Sequence, residues 1–576
     1  VPDAVESWCP RREAMMALIL TLIVFFGYFL RASALPLRGE EPRRAQIAVE
    51  MIESSDWIVP REQGDPFLSR PPLQNWLIGL CFLAGGERDA FTVRLHALVS
   101  TWLMVLIVYG YGRTFLSRTG ALAAGAAFAT FGEVMQECST AETEALFTLL
   151  VSGSLLLWHW GMVRGWPAVL AWSLGYALMA LGMLAKSLQA PVYFLAPVFV
   201  YLVLTRQWRQ LFSLAHLAGI LVGAGVLAAW VVPFHGQLGL DGVRSIWMND
   251  VRTRIFEWQG FLIHFARFPA ELFGCLMPWT PLLFAYVWRP FRSTMTPANG
   301  GQLMFAAIVL AIGVPTVWWP PNGMTRYLLP LYPSAAVLVG YVVQRCAEAA
   351  ADSPVGVRWR RCLVGYCVLI TGVGLAVPAA GFIHGNRFIE AFAEPPLLAG
   401  MLCLACFGLA WLVRKSSLSA APSWRGGVAA TSLAAFMVLL FAGPVLDVRI
   451  RIGNDIGAEI ARLKADLPAG ASIVSINHTC ADLPFHLGEP IKAIAWSGSQ
   501  PLPVPEGAYF TFTATGAGRP TLPFAWEEVR AISVDRRRSD HPENVVVIAR
   551  RLPAGTKEPS QQVHFKLTSR ESSPSP

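Results

Sequence analysis

Charge is scarce in this sequence. Asp, Glu, Lys and Arg together make up 15% of its 576 residues, against about 25% in soluble domains. With 54% hydrophobic residues and a mean hydropathy of +0.47, that shortage excludes an ordinary soluble globular protein. A cysteine framework is missing as well. Ten cysteines occur, but most, such as Cys81, Cys275, Cys346, Cys403 and Cys406, lie in or beside apolar segments, where Cys acts as a small hydrophobe. No compact Cys/His spacing supports zinc, although His478, Cys480 and His486 occur close together, and a bridge between Cys138 and Cys480 stays open. No internal repeat is visible. The net charge of +8 is explained by Arg and Lys in loops, so no nucleic-acid partner is expected.

What the chain has in abundance is long apolar runs. Windows of the roughly 17 to 25 residues needed to cross a bilayer recur throughout, so the fold class is an α-helical polytopic membrane protein. About thirteen spans are expected, near residues 14–32, 91–112, 119–133, 144–163, 167–185, 189–205, 211–233, 271–288, 303–319, 327–344, 361–383, 396–413 and 427–446. With the N-terminus inside, alternate connections carry Arg11 and Arg12, Arg113 and Arg118, Arg164, Arg206 and Arg209, Arg289 and Arg292, Arg345 to Arg361, and Arg414, Lys415 and Arg425. These are the cytoplasmic ends. Residues 71–87 are apolar enough to suggest another span, but counting them would turn the Arg-rich loops outward. The stretch therefore reads as a helix at the interface, started by Pro71 and Pro72. Residues 43–54 read as a second surface helix, with Pro42 in its first turn and Ala45, Ala48, Met51 and Ile52 on one face.

The outer side then receives the loop at 33–90, the ECSTAETE segment (Glu137 to Glu144), a loop at 234–270 and everything after residue 447. The expected domains are a membrane domain at 1–446, which includes the surface helices at 33–90, and a small α/β domain at 447–552. The remainder, 553–576, reads as a disordered tail. In the α/β domain, 454–466 reads as a helix and SIVSI, KAIA, AYFTFT and NVVVIAR read as strands.

The chemistry-bearing residues concentrate on that outer face. RGEEPRRA (Arg38 to Ala45) sets Glu40 and Glu41 at a helix start, where carboxylates gain about 0.3–1 kcal/mol from the helix dipole. Capping alone would account for them, but Glu137, Glu142 and Glu144 fall on the same face, which suggests a shared cavity. Arg43, Arg44, Arg70, Lys186 in LAKSLQAP and Arg326 in TRYLLPLYP approach it too. Each could snorkel to the headgroups. Together they suit an anion, because guanidinium and ammonium groups bind phosphate, and a lipid phosphate is a natural ligand.

In order along the chain come an acidic pair followed by Pro and Arg after span one, SSDWIVP, RPPLQNWL, STAETEALFTLL, a lysine after span five, and RYLLPLYP. This order resembles the ArnT/PMT group of membrane glycosyltransferases of the GT-C fold. That group includes the aminoarabinose transferase of lipid A and the protein mannosyltransferases. The resemblance covers about residues 15–345. It implies transfer of a sugar from a polyprenyl-phosphate donor to a glycan, lipid or protein acceptor at the periplasmic face of a bacterial inner membrane. It implies Glu40 as the base, Glu144 positioning the acceptor or a cation, and Arg70, Lys186 and Arg326 on the carrier phosphate. Glu41, Arg43 and Tyr327 would line the same substrate site. The group normally carries Asp at the positions of Glu40 and Glu144, and Lys at that of Arg70. A divalent cation on oxygen ligands stays open as cofactor. The rival classes are a transporter or flippase of a lipid-linked sugar, which predicts inverted repeats and broken helices at mid-membrane, and a relative that binds the carrier without catalysis.

Overall fold

The computed structural model describes residues 9–553 except 86, 256–259, 296, 381–395, 453–455, 469, 478, 490, 499, 515–521 and 534–544. The tail expected to be disordered lies outside the described residues from 554 onward. The chain forms two compact units. One comprises Val1–Leu35, Trp57–Val59 and Leu68–Arg451; the other comprises Pro36–Asp56, Pro60–Phe67 and Ile452–Pro576.

The first unit is helical, and the chain is a multi-pass membrane protein. Among the described residues nine helices are long and apolar enough to cross a bilayer: Pro10–Ala32, Ala90–Gly112, Glu144–Arg164, Ala168–Ala185, Leu214–Met248, Thr325–Glu348, Pro354–Ala380, Ala399–Leu418 and Pro422–Ile450. These match nine of the thirteen expected spans. The other four expected spans are not among these nine. Arg118–Thr130 has 13 residues, and Gln189–Leu204 and Leu303–Trp318 are shorter apolar helices. At 1.5 Å per residue the first two fall short of the roughly 30 Å of a hydrocarbon core, whereas the third is the apolar part of a 22-residue helix, Pro297–Trp318. The fourth is the pair Phe261–Cys275 and Thr280–Val287, bent by 109°. A count of thirteen crossings is therefore not established. Leu73–Gly85 is likewise a short apolar helix.

The short Arg118–Thr130 helix is buried along almost its whole length. Its sequence, RTGALAAGAAFAT, is made largely of Gly and Ala, which let backbones approach closely. A Cβ on Gly340 of the neighbouring Tyr332–Glu348 helix would meet the Gly120 carbonyl. A Cβ on Gly125 would lie 2.8 Å from Leu20 of the first span. Small residues here draw three helices together.

Buried arginines fix the ends of the first span. Arg94 Nη1 donates to the carbonyls of Ala32 (2.6 Å) and Leu35 (2.7 Å), satisfying C-terminal acceptors that have no helical partner. Near its start, Glu13 takes Arg113 Nε at 3.1 Å and Arg118 Nε at 2.8 Å, with the Tyr109 hydroxyl also donating. The outer loop expected at 234–270 departs from expectation, because helix runs on past Pro233 to Ile255 and is interrupted at Gly239, where φ is +67°. The physical reason is continued burial: Phe234 and Ile246 pack with Val59, Leu184 and Trp230.

The second unit is α/β. Five strands, β3 (Ile473–Ile476), β4 (Lys492–Ile494), β5 (Tyr509–Ala514), β6 (Trp526–Ser533) and β7 (Val545–Arg551), form one sheet in the order β4-β3-β5-β7-β6. β3 is parallel to β4 and β5, while β7 is antiparallel to β5 and β6. β7 reads as an unbroken apolar run because both of its faces are covered. Val545, Val547 and Ala549 pack with Phe510 and Phe512 on one side, and Val546 and Ile548 pack with Ile460 and Leu463 on the other. A two-residue hairpin, β1 (Arg61–Glu62) with β2 (Asp65–Pro66), turns at Gln63 and Gly64. Both turn residues have positive φ, +54° and +90°, as a type I′ turn requires.

The helix Glu41–Ser54 also belongs to this unit, with Pro42 in its first turn. It was expected to lie on the membrane surface as part of 33–90. Instead, residues 36–56 and 60–67 cluster with the C-terminal segment, and the helix packs on Asp482–Leu487. Pro42, Arg44, Ala45, Gln46, Ile47, Ala48, Val49 and Met51 are all buried. That is too much of its circumference for a helix floating with one face in lipid.

Candidate functional site

In the membrane unit the candidate residues sit at the ends of helices. Glu144 opens the helix Glu144–Arg164 and Lys186 follows the last residue of Ala168–Ala185. One residue begins a span and the other ends one, so the connectivity brings them to a common surface. Lys186 Nζ donates to Glu144 Oε1 at 2.7 Å, and both side chains are buried. The ammonium also lies 5.0 Å from the Tyr327 ring centroid and 5.3 Å from that of Phe147. Two aromatic faces and one carboxylate thus hold it in place.

Arg326 and Tyr327 lie on the 3-10 segment Thr325–Leu331. Arg326 Nη1 donates to Glu142 Oε2 at 3.1 Å, and its guanidinium carbon is 5.8 Å from the Tyr327 ring centroid. The positive charges of Arg326 and Arg70 act on Glu144 along with that of Lys186. Two donors in this group are left over. Among the described residues, Arg326 Nε and Arg70 Nη1 are buried N–H groups with no acceptor, a state that costs about 1–3 kcal/mol or more for a charged group. A bound anion within reach of either would supply the missing acceptor.

The 3-10 segment is held by its neighbours. Glu133 accepts from Thr325 Oγ1 at 2.6 Å and from the Tyr332 hydroxyl, so one carboxylate grips both ends of the stretch that carries Arg326. Tyr193 Oη donates to the Tyr327 carbonyl (3.1 Å) and Ser152 Oγ to the Pro330 carbonyl (2.6 Å). The sequence reading picked out Glu137, Glu142 and Glu144 but passed over Glu133. An acidic residue in FGEVMQE, ending an Ala-rich apolar run, was the available signal.

Glu40, Glu41 and Arg43 fall in the other unit. Glu40 is the N-cap of the helix Glu41–Ser54. Arg43 Nη1 donates to Glu40 Oε1 at 2.6 Å, and Arg43 Nε donates to Glu62 Oε1 at 2.8 Å. Glu41 is fully buried and accepts the Arg38 backbone N–H at 3.0 Å. Arg44 is buried too, with its guanidinium 5.1 Å from the Phe67 ring centroid. Asp482, from the C-terminal segment, faces Arg43 and Glu41; burial pushes its carboxyl up to about 6.

Among the described residues no group of three or more His, Cys, Asp or Glu side chains is placed to hold a metal ion. The donor set fits a divalent cation poorly, since Glu144, Glu142 and Glu40 already carry Lys or Arg partners. His478 lies outside the described residues, so the His478, Cys480 and His486 grouping has no described geometry. Cys138 and Cys480 are both free thiols.

Comparison with known proteins follows the same outline. Residues 69–233 match the family described as dolichyl-phosphate-mannose-protein mannosyltransferase. An undecaprenyl phosphate-alpha-4-amino-4-deoxy-L-arabinose arabinosyl transferase of Pseudomonas aeruginosa is 28% identical over 345 residues, 56% of this chain and 59% of the relative. A protein of the same description from Pseudomonas fluorescens is 29% identical over 346 residues, 55% of each chain. The chain thus spans somewhat over half the length of these curated relatives. In fold, the crystal structure of ArnT from Cupriavidus metallidurans in the apo state superposes with a TM-score of 0.67 at 18% identity, covering 93% of this chain and 98% of that one. The same protein bound to undecaprenyl phosphate gives 0.64, with 94% and 98% covered.

Proposed function

From an ArnT/PMT-like sequence carried on an ArnT-like GT-C fold, we propose a polyprenyl-phosphate-dependent glycosyltransferase. The observation that carries the reading is the two buried N–H groups, on Arg70 and Arg326, that lack an acceptor among the described residues, both charges acting on Glu144 of the Lys186–Glu144 ion pair. They fit a phosphate that arrives with the substrate. Undecaprenyl phosphate carrying 4-amino-4-deoxy-L-arabinose is the first donor to try, because the Pseudomonas relatives are described by it. Lipid A is the first acceptor, ahead of other glycans and proteins.

The acceptor oxygen attacks the anomeric carbon, the bond from that carbon to the carrier's phosphate oxygen breaks, and the phosphate leaves with the electron pair. Glu40 takes the acceptor proton, a role that comes from its place in the motif. Arg70, Arg326 and Lys186 stabilise the negative charge that grows on the departing phosphate. Glu144 orients Lys186, and Tyr327 fixes the same ammonium from its ring face. Arg43 holds Glu40, and the buried Glu41 fixes the start of the same helix through the Arg38 N–H. The chemistry takes place on the periplasmic side of the inner membrane, where the C-terminal α/β segment also lies.

The test uses the purified full chain in nanodiscs with a panel of undecaprenyl-phosphate sugars and lipid A. Turnover is expected with at least one donor, and loss of at least about 100-fold in Glu40→Gln. Wild-type rates in both Glu40→Gln and Glu144→Gln would reject the assignment. Orientation is checked by labelling single cysteines introduced, in a cysteine-free background, at the exposed positions Glu87 and Arg209 from outside intact spheroplasts; only the first should react.

A further inference from the structure

Glu40 poses a positioning problem. Its side chain is 45% exposed and that of Arg43, which holds it, is 38% exposed. Exposed ion pairs of this kind gain little and wander unless one partner is anchored. Arg43 is anchored on its other side, because its Nε donates to Glu62 at 2.8 Å and the Glu62 side chain is only 14% exposed. The question becomes what holds Glu62.

Glu62 ends β1, and the next residue, Gln63, is 2% exposed with all its polar atoms engaged. Its side-chain Nε2 donates to the Thr479 carbonyl (2.8 Å) and its Oε1 accepts the Thr479 N–H (3.2 Å). Its backbone N–H donates to Glu50 Oε1 at 2.8 Å, and Gly64 N–H donates to Glu50 Oε2 at 3.1 Å. Its carbonyl accepts the N–H of Ala493 in β4, the edge strand of the C-terminal sheet, at 3.3 Å. One glutamine thus joins the helix that begins beside Glu40, the hairpin, the Thr479 backbone and a sheet edge that would otherwise lack a partner. The amide is suited to this because it donates and accepts at once, pairing with both groups of a single backbone residue.

We propose that Gln63 is a positioning residue for the reaction: by locking the hairpin to the C-terminal α/β segment it fixes Glu62, and through Arg43 the Glu40 carboxylate. The C-terminal segment is then part of the catalytic apparatus, although it supplies no reacting atom. This rests on the reading of Glu40 as the base.

The test compares wild type, Gln63→Met, Glu62→Gln and Glu40→Gln in the full chain, using the undecaprenyl-phosphate aminoarabinose and lipid A assay together with amide exchange by mass spectrometry. Gln63→Met keeps the length of the side chain but removes both amide bonds. It should speed exchange around residues 479 and 493 and lower kcat about 10- to 100-fold, with the KM for the carrier changed less than about twofold. Glu62→Gln leaves the Thr479 and Ala493 bonds intact, so it should lower kcat without changing exchange there. That separates loss of aim from loss of structure. A Gln63→Met enzyme with the kcat of wild type, alongside an inactive Glu40→Gln, would overturn the proposal alone. Full turnover by Glu40→Gln would instead overturn the reading on which it stands.

Discussion

Lys186 and Glu144 form a buried ion pair, Nζ to Oε1 at 2.7 Å, between the end of one span and the start of another. Taking either charge away leaves the other without its closest partner in a low-dielectric setting, which costs about 3–5 kcal/mol for buried pairs. Glu144→Gln and Lys186→Met should therefore each lower the thermal unfolding temperature in detergent. The double variant should recover part of the loss, since no unpaired charge remains. Equal, additive losses would show that the two side chains do not depend on one another.

Glu40→Asp asks whether the length of the carboxylate side chain matters. The ArnT/PMT resemblance implies Asp at this place, yet in this chain Arg43 meets the longer side chain at 2.6 Å. Shortening by one methylene withdraws the carboxylate from Arg43 by about an ångström, a displacement that can lower a rate on the order of 100-fold. The expected outcome is a reduced kcat with the carrier KM preserved, measured by donor turnover.

Glu133 grips Thr325 and Tyr332, the two hydroxyls that bracket Arg326 and Tyr327. In Glu133→Gln only one oxygen acceptor survives, and hydrogen bonds to charged groups are worth about 1.5–3 kcal/mol. Loosening of the segment should weaken binding of undecaprenyl phosphate about tenfold, which corresponds to about 1.4 kcal/mol. Unaltered affinity by titration in nanodiscs would mean that Arg326 is held by its other contacts.

These residues also show where reading along the chain succeeds. Long apolar runs state their own burial, so nine of the expected spans coincide with crossing-length helices. Pro42 announces the first turn of the helix Glu41–Ser54, and β7 appears as an apolar run in VVVIA. β6 was missed because it is an edge strand whose sequence, WEEVRAIS, carries charges on both faces, and a bulge between Glu528 and Arg530 breaks its alternation. Gln63 was not legible at all. Its partners at 479 and 493 lie more than 400 residues away, and nothing in a polar turn distinguishes a glutamine that faces water from one that binds a sheet edge. What covers the helix over 43–54 was not legible for a related reason: amphipathicity marks an apolar face, but not whether lipid or protein covers it.

Asp482 supplies a pH test of the second unit. Its carboxyl is pushed from its ordinary 3.8 up to about 6 by burial, partly offset by the N–H of its own backbone and by Arg43. The folded state therefore binds this proton more tightly than the unfolded state. Below about pH 4 both states are protonated and the contribution is fully present. Between about pH 4 and 6 the unfolded chain has given up its proton while the folded one retains it, so stability falls as pH rises, by up to about 3 kcal/mol in all. Glu50, also raised by burial, changes stability in the same direction. Asp482→Asn cannot ionise and should flatten that fall. The measurement is the difference between wild type and Asp482→Asn in amide exchange of the β3 and β7 residues from pH 4 to 7. Convergence of the two proteins at low pH and divergence above about pH 5, with the variant the more protected, is the expected pattern. A constant difference across the range would mean that Asp482 does not titrate in this window.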